Sequence, residues 1–202
     1  MGILNKVTVE FGETSIMLSE LFYSMMSFCF IGAIVCVILR LVFCRIKHQK
    51  YDLIKEIPIV LFTAYCVGLF AMTVPVYRIL RYGNQMINGV YHSVNLIPFK
   101  TIVEYIRRSN TIVGISLTNV LGNILLFVPM GILLPIVFRY CHKLLNSLII
   151  GAVISIMIET LQFFLGRSAD IDDVLLNIAG TIVGFTVHYA ISRYHKTMMS
   201  EK

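Results

Sequence analysis

The chain has 202 residues, of which 57% are apolar and 14% charged, with mean hydropathy +0.82 and formal net charge +6. A soluble domain carries about 25% charged residues, so this deficit excludes an ordinary water-soluble globule and indicates an integral membrane protein built as one bundle. The positive charge does not indicate nucleic acid, because the basic residues flank apolar spans, where they set topology and meet anionic head groups.

Five uncharged runs follow one another: Leu21–Leu39, Ile57–Tyr77, Ser109–Phe138, Leu144–Ile158 and Val174–Ser192. About 20 residues at 1.5 Å each cross the hydrocarbon core. The runs therefore predict transmembrane helices at 21–43, 57–77, 117–138, 144–165 and 174–192. The expected fold is an all-α polytopic membrane helix bundle. It would comprise an N-terminal two-helix region at 1–77, a membrane core at 78–192 and a cytoplasmic tail at 193–202.

The first run does not read as a cleaved signal peptide. It is preceded by Glu10, Glu13 and Glu20 with only Lys6, and no small-residue cleavage site follows. Acids before it and Arg40, Arg45, Lys47 and Lys50 after it predict an outward N-terminus and an inward C-terminus. The five cysteines, Cys29, Cys36, Cys44, Cys66 and Cys141, lack paired metal spacing and read as small core residues. Cys44 and Cys141, near the inner face, are also acylation candidates.

Between the second and third helices, NLIPFKTIVEYIRR begins at Asn95. Phe99, Ile102, Val103 and Ile106 fall on one helical face, against Lys100, Glu104, Arg107 and Arg108. That pattern predicts a short helix lying in the membrane interface, with Pro98 in its first turn; the alternative is a plain amphipathic connector. The third helix places Asn119 and Asn123 one turn apart and then reads FVPMGILLP, with Pro129 and Pro135. Prolines inside a span predict a bend that opens space beside a neighbouring helix, or else a packing kink with no ligand.

In the fourth helix Ser155, Glu159 and Gln162 stand at i, i+4 and i+7, on one face. An ionisable group at such a depth costs roughly 2.5–3.5 kcal/mol on insertion scales, which marks Glu159 as a functional-site candidate. The connection that follows carries Arg167, Asp170, Asp172 and Asp173. Asp172 and Asp173 suit helix caps as well as ligands, and Arg167 either meets an anion or neutralises Asp170. Asn177 lies one turn beyond Asp173, and Gly180 with Gly184 permits close helix contact.

Alternating spans bring these residues to one side of the membrane in either orientation. The predicted pocket comprises Asn95, Asn119, Asn123, Ser155, Glu159, Gln162, Arg167, Asp170, Asp173 and Asn177. The pattern is specific for a site without specifying its chemistry.

At these residues the chain resembles the VanZ-like family of small bacterial membrane proteins. The resemblance runs through NLIPF (95–99), NVLGNILLFVPMGILLP (119–135), SIMIETLQ (155–162) and RSADIDDVLLNIAGTIVG (167–184), and covers roughly 78–190. The family often has a basic residue shortly before NLIPF; this chain has Tyr91, His92 and Ser93 there, leaving His92, Arg78 or Arg81 for that role. The resemblance implies a bacterial cell-membrane protein linked to teicoplanin resistance or to the cell envelope.

Two functions of different class are compatible with this reading. In the first, a non-enzymatic protein binds a lipid-linked cell-wall precursor or a lipoglycopeptide, with membrane lipids as its other partners. No cofactor is then expected. In the second, a membrane-embedded enzyme acts on a lipid head group, with Glu159 as general base and Asp170, Asp172 and Asp173 holding a hard divalent cation. No Ser/His/Asp order and no HExxH motif supports an enzyme, and a transporter is disfavoured by few spans and no inverted repeat.

Overall fold

The computed structural model describes residues 23, 26–48, 50, 52–73, 94–108, 113–165 and 167–200. The acidic N-terminal tail, and the choice among Arg78, Arg81 and His92, lie outside the described residues. The chain divides into two compact units, Met1–Val76 and Tyr77–Lys202. Among the described residues five helices are long and apolar enough to cross a membrane, as expected of a multi-pass membrane protein.

In the first unit, α1 (Met26–Ile46) and α2 (Leu53–Thr73) face each other. Gly32 lies against the Val67 side chain, Cys36 Sγ donates to Thr63 Oγ1 at 3.4 Å, and Arg40 meets Glu56. These matches run in opposite directions along the two helices, so the pair is an antiparallel hairpin. Arg40 Nε donates to Glu56 Oε2 at 2.6 Å and Nη2 to Oε1 at 2.5 Å, the forked geometry that lets two charges tolerate burial. α2 begins a turn earlier than the apolar run implies. Asp52 caps it, its Oδ1 accepting the Ile54 N–H at 3.2 Å, and Arg40 neutralises the Glu56 that would otherwise hold the first turn out of the membrane.

The second unit begins with β1 (Val94–Asn95) and α3 (Lys100–Arg108), followed by α4 (Val113–Val137). A 3-10 turn at Arg139–His142 leads into α5 (Leu144–Phe164), then β2 (Ala169–Asp170) and α6 (Ile171–Ser200). α3 is the short amphipathic helix anticipated from the sequence. It opens at Lys100 rather than at Pro98, because Phe99 adopts a left-handed backbone (φ 64°) and Pro98 sits in the preceding turn. The two strands form a minimal parallel sheet, Val94 opposite Ala169 and Asn95 opposite Asp170.

α6 is the spine of this unit, packing most extensively on α4 and also on α5. The α4–α6 contact is made backbone to backbone. A Cβ added at Gly180 would collide with the Ile124 carbonyl, one at Gly184 with the Val128 carbonyl, and one at Gly131 with the Thr181 carbonyl. Glycine at these three positions is what permits the approach. Phe127, Met130, Leu134 and Thr181 are fully enclosed there.

Of the two readings of the prolines, the packing one agrees with this contact. α4 is one continuous helix through Pro129 and Pro135, and Phe127, Met130, Leu134 and Pro135 are fully buried rather than beside an opened space. α6 is also longer than its apolar run. Its 30 residues span about 45 Å at 1.5 Å each, more than the hydrocarbon core, so the polar stretch from Arg193 to Ser200 continues the helix.

Candidate functional site

The site is built where β1 and β2 meet the ends of α5 and α6. Asn95 and Asp170 are register partners in the sheet, and their side chains close a ring with Thr101 of α3. Asn95 Nδ2 donates to Asp170 Oδ1 and to Thr101 Oγ1, each at 3.0 Å, and Thr101 Oγ1 donates to Asp170 Oδ2 at 2.5 Å. Asn95 Oδ1 accepts the Ile97 N–H at 3.2 Å, and Asp170 Oδ1 accepts the Asp172 N–H at 3.0 Å. Every arm of this ring is committed within the protein.

Asp172 is 1% exposed and does not serve its own helix. Its carboxylate accepts the N–H groups of Phe99 (2.5 Å), Thr101 (2.8 Å) and Ile102 (3.2 Å), so it caps α3 from the head of α6. These are the orphan donors that a helix N-terminus leaves, and a carboxylate there also complements the helix dipole. Three N–H donors gathered on one carboxylate also hold Phe99 in its left-handed conformation.

Beneath the ring a cavity of about 290 Å³ opens between α5, the two strands and the start of α6. Its walls are apolar: Val94 and Leu96, Ile156, Phe163 and Phe164, Ala169, Ile171 and Val174. Its polar lining is Asn95, Glu159, Thr160 and Asp170. Thr160 Oγ1 donates back to the Ile156 carbonyl at 2.7 Å. Glu159 is 7% exposed, and its Oε2 accepts the Asp170 N–H at 3.2 Å. Among the described residues no side-chain oxygen shut away from the surface lacks a partner, so the other Glu159 oxygen, Oε1, is open to the cavity it lines. It is the acceptor with capacity to spare.

Of the ten residues expected in the pocket, Asn95, Glu159 and Asp170 line this cavity. Four others form two separate hydrogen bonds that fasten α6 to its neighbours. Asn177 Nδ2 donates to Ser155 Oγ at 2.8 Å toward α5, and Asn123 Nδ2 donates to Asp173 Oδ1 at 2.6 Å toward α4. Gln162 is buried behind the lining, and its carbonyl accepts the N–H of Arg167 at 2.9 Å. Asn119 and the Arg167 side chain are exposed. Arg167 forms no ion pair among the described residues.

The three aspartates read as a cation set do not converge. Asp170 faces the Asn95–Thr101 ring, Asp172 the head of α3, and Asp173 the amide of Asn123. Among the described residues no group of three His, Cys, Asp or Glu is arranged to hold a metal ion. Thr101 was not among the expected site residues, since one Thr in an amphipathic turn carries no distinguishing pattern.

A family model described as VanZ/LLP1 matches residues 59–192, about two thirds of the chain. The chain belongs to the VanZ/LLP1 family. No curated protein and no solved structure matches it. The VanZ/LLP1 match takes in every cavity residue, the Asn95–Asp170–Thr101 ring and the Asp172 cap. It also contains all four motifs on which the VanZ-like resemblance rests.

Proposed function

We propose that this VanZ/LLP1 membrane protein binds the polar head of a lipid-linked or lipoglycopeptide ligand in the cavity beside Glu159, without transforming it. The observation that carries this reading is an apolar recess of about 290 Å³ whose lining includes the Glu159 carboxylate. Pockets for whole drug-sized molecules run from about 300 to 1,000 Å³, so this recess suits a head group whose chains stay outside among lipid. Leu96, Ile156 and Phe164 at its edge are all more than half exposed, which supports an opening toward the acyl phase.

The outward orientation inferred from the basic residues, and a role in glycopeptide resistance or the cell envelope, form part of the same reading. Binding without turnover is favoured over general-base catalysis because, among the described residues of the lining, Glu159 has no second acid or base with spare capacity; Asp170 is committed to Asn95, Thr101 and Asp172. The test is incubation of purified protein with lipid-linked precursor or with lipoglycopeptide, followed by mass spectrometry. Retention of unaltered ligand is expected. Turnover would convert the assignment to an enzyme, and neither retention nor turnover would refute it.

A further inference from the structure

The electrostatics of the cavity narrow the choice of ligand. Two carboxylates, Glu159 and Asp170, line it, and among the described residues no Lys or Arg side chain does. A bare phosphate or pyrophosphate in that recess would meet negative charge with no compensating donor from a cation, at a depth where screening is weak. A protonated primary amine has the complementary chemistry: three N–H donors and a positive charge for one open carboxylate oxygen.

Position selects the source of that amine. Glu159 lies five residues from the α5 terminus at Phe164, about 7–8 Å along the helix axis at 1.5 Å per residue. Amphipathic groups settle about 5–10 Å into the boundary between head groups and acyl chains. The cavity therefore sits where a membrane lipid already presents its head. Its exposed rim residues, Leu96, Ile156 and Phe164, give that lipid apolar surface to lie against. Arg167 stands exposed on the connection leading into the Ala169–Asp170 strand of the lining, free of any ion pair among the described residues. An exposed guanidinium on that connection offers a phosphate next to the amine a cation to meet.

We propose that the site takes a membrane phospholipid with a primary amine in its head group, the amine on Glu159 Oε1 and the adjoining phosphate toward Arg167. This rests on the proposal that the cavity beside Glu159 binds a lipid-borne head group, and it selects the lipid over the lipoglycopeptide.

The test uses purified full-length protein in a non-ionic detergent, offered equal amounts of phosphatidylethanolamine, phosphatidylglycerol and phosphatidic acid. Teicoplanin is supplied in a parallel arm, and native mass spectrometry reads what is retained. At least a tenfold preference for phosphatidylethanolamine over phosphatidylglycerol is expected, because a hydrogen bond to a charged group is stronger than one to a neutral one. Glu159→Gln should abolish that preference while the protein still elutes as folded. Equal or preferential retention of the two amine-free lipids overturns the amine assignment and leaves amphiphile binding intact. Retention of teicoplanin alone overturns the choice of a phospholipid but supports the broader reading. Retention of nothing by the wild-type protein removes both.

Discussion

Asp172 and Thr101 lie 71 residues apart in sequence, and the Asp172 carboxylate accepts the Thr101 backbone N–H at 2.8 Å. Through this bond and those to Phe99 and Ile102, the head of α6 supplies the N-terminal cap of α3. The short amphipathic helix is thereby tied to the most deeply packed helix of its unit, and so is the strand pair beside it. A surface element gains a fixed position from one buried carboxylate.

Asp172→Ala should free α3 while leaving the α4–α6 contact intact. Loss of the cap strands three backbone donors, at a cost of roughly 2–3 kcal/mol. Hydrogen exchange should show Thr101–Glu104 losing protection, with little change in Phe127–Leu134. Asp172→Asn should fall between, since its amide oxygen still accepts. Unchanged protection in the alanine variant would show that α3 is held by other means.

Gly180 and Gly122 make a matched pair of tests for the α4–α6 contact. A methyl at Gly180 meets the Ile124 carbonyl, whereas one at Gly122 has nothing within 4 Å. Gly180→Ala should cost about 1–3 kcal/mol through overpacking. Gly122→Ala should be neutral or stabilising by about 0.5–1 kcal/mol, because glycine in a helix carries extra backbone entropy in the unfolded chain. Thermal unfolding in detergent distinguishes them; equal midpoints would mean that the helices can separate without penalty.

Much of this arrangement is legible in the sequence. Apolar run length gives the spans of α4 and α5 to within a few residues, because hydrocarbon thickness sets them. The small-residue spacing of Gly180 and Gly184 correctly marks a helix contact, and Glu159, Asn95 and Asp170 do come together. Partner choice is what the sequence does not carry. Asp172 reads as a cap for its own helix, since local rules describe only the chain that follows it, yet its carboxylate turns to α3. Arg40 reads as a flanking charge because a bidentate pair with Glu56 across two helices leaves no trace in either run. The prolines leave two readings open for a related reason: whether a bend opens space or seats a neighbour depends on the facing residues, here Gly180 and Gly184.

The proposed outward orientation rests on basic residues on short connections and is tested at Ser168, which is exposed between Arg167 and the second strand. With Cys29, Cys36, Cys44, Cys66 and Cys141 replaced, Ser168→Cys should react with a membrane-impermeant thiol reagent on intact cells. Labelling that requires lysis would invert the topology and place the cavity on the inner face.

Glu159 is the residue on which the functional reading turns. Glu159→Ala should abolish binding with little loss of protein, because the residue's one hydrogen bond among the described residues, to the Asp170 N–H, is long at 3.2 Å and the wall around it is apolar. Glu159→Gln separates the two classes of mechanism. A binder keeps shape and one acceptor oxygen, so partial affinity for a neutral donor head group should survive even where preference for an amine is lost. A general base cannot be replaced by an amide, and a loss of about 10²-fold or more would be expected of an enzyme. The measurement is ligand retention by each purified variant, run beside antibiotic susceptibility of cells carrying matched membrane levels of each. Wild-type retention by Glu159→Ala would show that the open carboxylate oxygen is not what holds the ligand.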